Sequence, residues 1–268
     1  MSDAQLLGGI PLRSPDAENA RFVSLIWGDA GCGKSTLAAT APGRKLFILM
    51  DPNGDLAHTT RTDCDILDLS SAPFAQVIEK FRASDPYGLE SFLRSRPDIE
   101  TVVWDSVTAY AYMALQEAVS KNRNSSMEQP GVHSYSWRNA SMLRAAVALM
   151  TLTGRLNRNL IFITHEGTPD RDAAGAVVSV TMALSEGIAG QVGLRFNEVW
   201  WMNDNGKDRT IAVRPCRLRK PMKTRMWDAS TAPEFVWRYD ARNHTGDGIA
   251  EWIGAWKKGS GRKLALPK

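Results

Sequence analysis

The stretch "RFVSLIWGDAGCGKSTLA", residues 21–38, joins an apolar run to a glycine-rich turn and then to a helical pattern. Residues 28–35 of this stretch match G-x-x-x-x-G-K-[ST] at every fixed position. Glycines allow successive backbone N–H groups to face a bound phosphate, and the lysine adds a positive charge. Because a strand before the loop and a helix after it are the context that this motif requires, the sequence predicts a nucleotide-binding loop.

The roles within this loop follow from the chemistry of a magnesium-bound polyphosphate. Lys34 is expected to reach the β- and γ-phosphates, and the hydroxyl of Ser35 is expected to bind Mg²⁺. The expected nucleotide contacts are Gly28, Asp29, Ala30, Gly31, Cys32, Gly33, Lys34, Ser35 and Thr36. Cys32 occupies a variable position of the motif, which tolerates a small residue. ATP and Mg²⁺ are the expected cofactors.

Acidic and polar residues follow two later apolar runs, at the point where each predicted strand ends. "TVVW" at 101–104 ends in Asp105, which is the predicted second ligand of Mg²⁺, with capping of the next helix as the alternative. "LIFIT" at 160–164 ends in Thr164, followed by His165 and Glu166. Since strand tips of an open α/β sheet face the ligand crevice, these three residues are candidates for sensing the γ-phosphate or orienting water.

The carboxylate that activates water is left open by the sequence. Asp51 follows the apolar run "KLFILM" at 45–50, and Glu166 follows the run at 160–164. Both are candidate catalytic acids, and the candidate catalytic set is completed by Lys34 and His165. The alternative for His165 and Glu166 is a structural hydrogen bond or ordinary loop polarity.

Composition predicts a soluble protein of a reducing compartment, and we expect it in the cytoplasm. The chain has 268 residues, 43% of them hydrophobic and 23% charged, and no apolar run approaches the length of a membrane span. Its three cysteines are widely spaced, which excludes a disulfide framework and a zinc site. The net charge of +4 permits a polyanionic partner without requiring one.

The order of the predicted elements indicates an α/β protein. Strands that are continuous apolar runs alternate with helices through the first two thirds, which favours a parallel sheet covered on both faces. A helix is predicted over 137–156, and the segments 121–136 and 167–192 are predicted to be loops. An antiparallel meander is predicted near the C-terminus. We divide the chain into an arm (1–20), an ATPase core (21–246), and a short helix capped by Asp247 with a basic, disordered tail (247–268).

Two basic regions are candidates for contact with a polyanion. The first is "RPCRLRKPMKTR", with Arg214, Arg217, Arg219, Lys220, Lys223 and Arg225. It is open to three interpretations, which are a solvated strand edge, a track for a nucleic-acid backbone, and fingers (Lys223 and Arg225) that reach a neighbouring subunit's γ-phosphate. The second is the loop 121–136 and its flank, where cations and aromatic rings are interleaved as single-strand binding favours: Lys121, Arg123, His133, Tyr135 and Trp137.

Taken together, "GDAGCGKST", "VVWDS", "LIFITHE" and the late "KTR" resemble the RecA-like ATPases over about residues 21–240. More narrowly, the chain resembles the compact phage ATPases of the Sak type. The resemblance implies a mostly parallel central sheet with the 160–164 strand between those that end in the phosphate loop and in Asp105. It also implies rings or filaments with ATP sites shared between subunits, DNA contact through loops like 121–136 and 167–192, and, for a phage protein, the host cytoplasm.

One departure from the RecA-like pattern concerns hydrolysis. Enzymes of this kind usually carry a glutamate just past the second strand, where this chain has Asp51-Pro52-Asn53. The resemblance therefore implies that Asp51 or Glu166 substitutes, or that hydrolysis is slow. We expect the large flanking domains of full-length RecA to be absent, which favours annealing or loading with a partner, such as a single-strand DNA-binding protein, over independent strand exchange.

The leading hypothesis is an oligomeric, ATP-dependent protein that binds single-stranded DNA and promotes annealing or homologous recombination. The alternatives are a nucleotide-dependent switch or helicase loader and, less favoured, a small-molecule kinase. Against the kinase, the segment 167–192 contains only Arg171 and so lacks an arginine-rich lid.

Overall fold

The computed structural model describes residues 6–7, 10–11, 16–52, 54, 61–122, 125–184, 186–216, 218–219 and 221–267. The described helices are α1 Lys34–Ala38, α2 Phe74–Arg82, α3 Leu89–Ser95, α4 Val107–Lys121, α5 Val132–Arg155, α6 Glu186–Arg195 and α7 Ile249–Lys258. The described strands are β1 Leu6–Leu7, β2 Ile10–Pro11, β3 Val23–Gly28, β4 Arg44–Leu49, β5 Cys64–Asp68, β6 Ile99–Asp105, β7 Asn159–His165, β8 Asp170–Arg171, β9 Val177–Ser179, β10 Glu198–Asp204, β11 Arg209–Ala212, β12 Trp227–Asp228, β13 Glu234–Trp237, β14 Tyr239–Asp240, β15 Thr245–Gly246 and β16 Leu264–Ala265. No helix within these ranges is long and apolar enough to cross a membrane.

One large sheet organises the chain, and its eight strands lie in the order β13-β11-β10-β3-β7-β6-β4-β5. The six strands from β10 to β5 run parallel, whereas β11 is antiparallel to both of its neighbours. Strand β7 lies between β3 and β6, as the RecA-like resemblance implied. The predicted α/β fold is confirmed, and so is its antiparallel C-terminal extension.

Both faces of the sheet are covered, which explains why its strands are continuous apolar runs. All six residues of β3 are buried, and their side chains alternate between two hydrophobic clusters. Leu25 and Trp27 pack in the first cluster, with helices α2, α4 and α5. Phe22 and Ile26 pack in the second, with α1 and α7. The predicted limits of arm, core and tail remain a prediction, although α7 shares the second cluster.

The register of the parallel strands brings their polar ends to one edge of the sheet. Gly28, at the end of β3, pairs with His165, at the end of β7. Asp105, at the end of β6, pairs with Ile163 on β7 and with Leu49 on β4. Residues that are far apart in the chain therefore meet at this carboxyl edge.

Several helix and loop limits differ from those predicted. Helix α5 begins at Val132 rather than at residue 137, and Ser134 in its first turn is buried, so the predicted loop 121–136 is wrong over 132–136. The predicted loop 167–192 contains the β8–β9 hairpin and most of α6. Burial of Ile188 and Ala189 stabilises α6 despite its glycines, an instance of tertiary packing outweighing helix propensity.

The C-terminal segment also differs from its prediction. Helix α7 begins at Ile249 with Gly248, not Asp247, as its N-cap, and the Glu251 side chain accepts a hydrogen bond from the Gly248 amide at 3.0 Å. The tail is not disordered over Leu264–Ala265, which pairs with β12. This pairing was not visible in the sequence because its partner strand has only two residues.

A buried carboxylate at the start of β10 ties the segment around residue 225 to the sheet. Glu198 is 2% exposed and accepts four hydrogen bonds. The donors are Trp200 Nε1 at 2.8 Å, Thr224 Oγ1 at 2.6 Å, and the backbone amides of Arg225 at 2.8 Å and Met226 at 2.9 Å. Burial raises the pKa of Glu198, and these donors oppose that effect.

Replacement of this carboxylate should destabilise the protein. Glu198→Ala leaves four donors without their acceptor, each in a buried or partly buried position, and we expect the free energy of unfolding to fall by about 3 kcal/mol or more. Urea denaturation followed by tryptophan fluorescence measures this change. Glu79→Ala, which removes the same charge from an exposed position of α2, is the control and should have almost no effect. Equal stability of the two variants would contradict the structural role of Glu198.

Candidate functional site

The loop between β3 and α1 has a backbone that glycine alone adopts readily. Gly28, Gly31 and Gly33 have φ angles of 152°, 77° and 98°. A Cβ on Gly28 would also lie 2.0 Å from the carbonyl oxygen of Met202 on the neighbouring strand β10. The fixed glycines at 28 and 33 and the variable one at 31 thus permit the turn that the motif predicts.

Lys34 lies inside this loop, with 5% of its surface exposed. Its Nζ donates to the carbonyl oxygens of Gly28 at 3.1 Å and Asp29 at 2.6 Å. The ammonium is therefore held at the centre of the turn, where the motif requires a positive charge for the phosphates. Asp29, Ala30 and Gly31 form the exposed rim.

Cys32 and Thr36 complete the loop without a distinct chemical role. Cys32 is 2% exposed, and burial raises the pKa of its thiol even though Lys34 lies close by. A protonated, buried thiol agrees with the interpretation of Cys32 as a small tolerated residue. Thr36 lies in the first turn of α1 and is partly exposed.

Ser35 and Asp105 form the pair expected for magnesium. Ser35 Oγ donates to Asp105 Oδ2 at 2.5 Å, and Asp105 is 7% exposed. Burial raises the pKa of Asp105, and the hydrogen bond from Ser35 opposes this. Helix capping, the alternative role for Asp105, belongs to Ser106, whose Oγ accepts a hydrogen bond from the Ala109 amide at 3.2 Å.

These residues fit a magnesium ion with a nucleotide. A carboxylate and a hydroxyl are oxygen ligands that Mg²⁺ prefers, and a buried carboxylate gains from a nearby cation. A magnesium ion held by Ser35 and Asp105 would neutralise charge on the phosphates. The described residues contain no group of three or more His, Cys, Asp or Glu side chains that could hold a metal by themselves, so the remaining ligands would be phosphate oxygens and water.

Asp51 and His165 face each other beside this pair. His165 Nε2 lies 3.8 Å from Asp51 Oδ2, and this buried oxygen has no hydrogen-bond partner among the residues that the structure describes. Burial opposes ionisation of Asp51, but His165, Ser106 and the charge of Lys34 outweigh it and lower the pKa of Asp51. An ionised carboxylate beside His165 and the phosphate loop can accept a proton from water.

The side chains of Glu166 and Thr164 contact Trp201 and Thr108. Glu166 Oε2 accepts a hydrogen bond from Trp201 Nε1 at 2.7 Å. Thr164 Oγ1 lies 2.7 Å from Thr108 Oγ1, and Thr108 Oγ1 also accepts from the His165 amide at 2.9 Å. Of the three residues at the end of β7, His165 is therefore the one whose side chain lies beside Asp51, whereas Glu166 makes the structural hydrogen bond that the sequence analysis gave as its alternative.

The proposed finger residues lie near the opposite, amino edge of the sheet. Lys223 Nζ donates to the carbonyl oxygen of Phe196 at 2.8 Å. Phe196 is level with Phe22, six residues before Gly28, and six strand residues span about 20 Å. Arg225 is exposed on the same side. Lys223 and Arg225 are thus too far away to join the phosphate loop of their own chain, and Arg217 and Lys220 lie outside the described residues.

Sequence reasoning missed the residues that orient these side chains. Trp201 holds Glu166, and its ring is covered by the guanidinium of Arg219, 3.5 Å from the ring centroid. Thr108 orients the end of β7. Neither belongs to a motif, since Trp201 on β10 and Thr108 on α4 act through contacts with a segment that is distant in the chain. Asn53, which marks the departure from the RecA-like pattern, lies outside the described residues.

Comparison with known proteins agrees with this site. The family AAA_24, described as an AAA domain, matches residues 20–236. The chain belongs to this family. Among solved structures, the crystal structure of the RadB recombinase is similar at 14% identity and a TM-score of 0.45, over 82% of this chain and 88% of that one. No curated protein matches the chain in sequence.

Membership of AAA_24 and the phosphate loop make the protein a P-loop NTPase, and its sheet places β7 between β3 and β6, as the RecA-like resemblance implied. The narrower resemblance to the Sak type remains a prediction. The roles of the individual site residues are likewise predictions, although the geometry now favours Asp51 over Glu166 as the carboxylate that activates water.

Two substitutions distinguish these carboxylates. Asp51→Asn should lower kcat by about 100-fold or more, because it removes the proton acceptor while leaving the loop intact. Glu166→Gln retains an acceptor for Trp201 and should leave kcat within about a factor of 5. Steady-state ATPase assays measure both effects, with nucleotide affinity as the check that each site is still formed. A large loss for Glu166→Gln alone would reverse the assignment.

Proposed function

We propose that this ATPase binds single-stranded DNA and promotes annealing or homologous recombination as an oligomer. The observation that carries the proposal is a set of cation–aromatic contacts at the start of α5, two of which are made with residues of α2 and α4. We call it the α5 patch, and its residues are Arg82, Lys121, Tyr135, Trp137 and Arg138.

The contacts within the α5 patch support a nucleic-acid partner. Arg82 lies 4.6 Å and Lys121 5.6 Å from the ring centroid of Trp137, and Arg138 lies 4.9 Å from that of Tyr135. Single-strand binding combines cations that follow the backbone with rings on which bases stack. Tyr135 is 39% exposed, so a base can reach its ring. Arg123, which was predicted to act here, lies outside the described residues, and His133 is exposed in the first turn of α5.

Charge favours this patch over the second expected DNA-binding loop. The β8–β9 hairpin carries Asp170 and Asp172 against a single cation, Arg171. Such a segment repels a phosphate backbone more than it attracts one. The proposal therefore assigns DNA to the α5 patch and not to this hairpin.

An assembly with shared ATP sites is proposed from the position of Arg225. This side chain is exposed at the edge of the sheet opposite its own phosphate loop, and Glu198 holds its backbone amide. A cation presented in this way is suited to reach a nucleotide bound by a neighbouring subunit. Lys223, whose ammonium is bound to the Phe196 carbonyl, is the less available of the two.

The DNA-binding part of the proposal is tested with a pair of matched aromatic variants. Tyr135→Ala should weaken binding to single-stranded DNA about 10-fold by removing a stacking surface, and it should reduce stimulation of ATP hydrolysis by DNA. Phe92→Ala is the control, because Phe92 is also 39% exposed and also has an arginine, Arg96, near its ring. Gel shifts at low salt measure the affinity.

The outcomes of this test separate the candidate functions. Failure of the wild-type protein to bind DNA at low salt, or equal losses for both variants, would contradict the proposal. DNA binding without any change in ATP turnover would instead indicate a nucleotide-dependent switch or helicase loader. Phosphoryl transfer to a small acceptor would indicate a kinase.

Mixing two inactive variants tests whether ATP sites are shared. Lys34→Ala removes the loop cation, and Arg225→Ala removes the proposed finger, so each protein alone should hydrolyse little ATP. Mixed oligomers contain some sites with an intact loop and a neighbour's intact Arg225, and we expect partial recovery of ATPase activity. Arg242→Ala, at another exposed position, is the control and should be active by itself. If the mixture remains inactive, Arg225 does not act between subunits.

A further inference from the structure

The hairpin between β10 and β11 lies beside the phosphate loop. Met202 on β10 pairs with Gly28, and Asp204, two residues further on, pairs with Arg209 on β11. Side chains alternate along a strand, so Arg209 lies on the same face of the sheet as Ile211, which packs in the cluster that contains α1. Arg209 is therefore on the side of the sheet where the loop leads into α1.

The side chain of Arg209 packs directly on the loop. A Cβ on Gly33 would lie 3.4 Å from each of Cδ, Nε and Nη1 of Arg209. Equal distances to these coplanar atoms mean that the guanidinium group lies face-on against Gly33. Gly33 immediately precedes Lys34, so Arg209 adds a second positive charge beside the loop that carries Lys34.

Asp204 and the hairpin hold the guanidinium group in this position. Arg209 Nε donates to Asp204 Oδ2 at 3.0 Å, and Asp204 Oδ1 accepts from the Gly206 amide at 2.8 Å. The Gly206 amide and Arg209 lower the pKa of Asp204, which keeps it ionised. Asn205 Oδ1 accepts from the amides of Lys207 and Asp208, which closes the turn.

The outer nitrogens of Arg209 have unused donors. Within the described part of the chain, Nη1 and Nη2 have no hydrogen-bond acceptor, and the side chain is 35% exposed. A guanidinium group presents parallel N–H donors that match phosphate oxygens. Its Nε is occupied by Asp204, which leaves the two terminal nitrogens for a ligand next to Gly33.

We propose that Arg209 is a further binding residue of the nucleotide site, which contacts the phosphate chain of a nucleoside di- or triphosphate from the hairpin side. Asp204 is its positioning residue. The assignment concerns the NTPase site alone, so it is independent of the proposed action on DNA. It also gives the C-terminal antiparallel strands a part in nucleotide binding.

The test is nucleotide affinity, measured by titration with fluorescent mant-ADP in the absence of DNA. Arg209→Gln retains an amide donor for Asp204 but removes the charge, and we expect about a 10-fold loss of affinity. Lys207→Gln removes the same charge at the exposed tip of the hairpin and should leave the affinity unchanged. Because the contact is to phosphate, the loss should be the same for mant-GDP.

Three results would overturn the proposal. The first is wild-type affinity of Arg209→Gln, and the second is an equal loss in Lys207→Gln. The third is a loss with mant-ADP but not with mant-GDP, which would indicate contact with the base. If Arg209→Gln also lowers the nucleotide-free melting temperature, the affinities are compared at a temperature at which this variant is fully folded: a loss that persists there supports the proposal, and wild-type affinity there overturns it.

Discussion

Parallel pairing of the fully buried strand β3 is the constraint on which the rest of the structure depends. Its six residues are buried on both faces, and its neighbours β7 and β10 pair with it in parallel register. Parallel strands end at the same edge, so the phosphate loop, His165 and the β10–β11 hairpin meet there. A shift of one residue in this register would exchange the side chains of β3 between two differently filled clusters, so close packing on both faces fixes the edge.

Buried charged side chains have different partners at the two edges of the sheet. At the carboxyl edge, the hydrogen-bond partners of Lys34 and Asp105 among the described residues are neutral, so a nucleotide and its metal ion can complete their interactions. At the amino edge, Glu198 is satisfied by four donors from the protein itself. The first arrangement is suited to binding, and the second fixes the segment that carries Arg225.

The two candidate acids show what the sequence pattern could not predict. Asp51 and Glu166 each follow an apolar strand, and their sequence contexts do not rank them. In the fold, Asp51 meets His165 while Glu166 is bound by Trp201, which comes from a strand 35 residues further along the chain. Arg209 is a similar case, since its contact with Gly33 depends on the pairing of β10 with β3.

The sequence by itself determined the phosphate loop, the position of Asp105 at the end of a strand, the alternation of strands and helices and the antiparallel end, because these depend on local motifs and on hydrophobic periodicity. The tertiary structure alone decided which acid faces the site, which edge carries Lys223 and Arg225, that α6 and the start of α5 are helical, and that Arg209 lies on the loop. The physical reason is that these features arise from contacts between distant segments, where burial and strand register outweigh local preference.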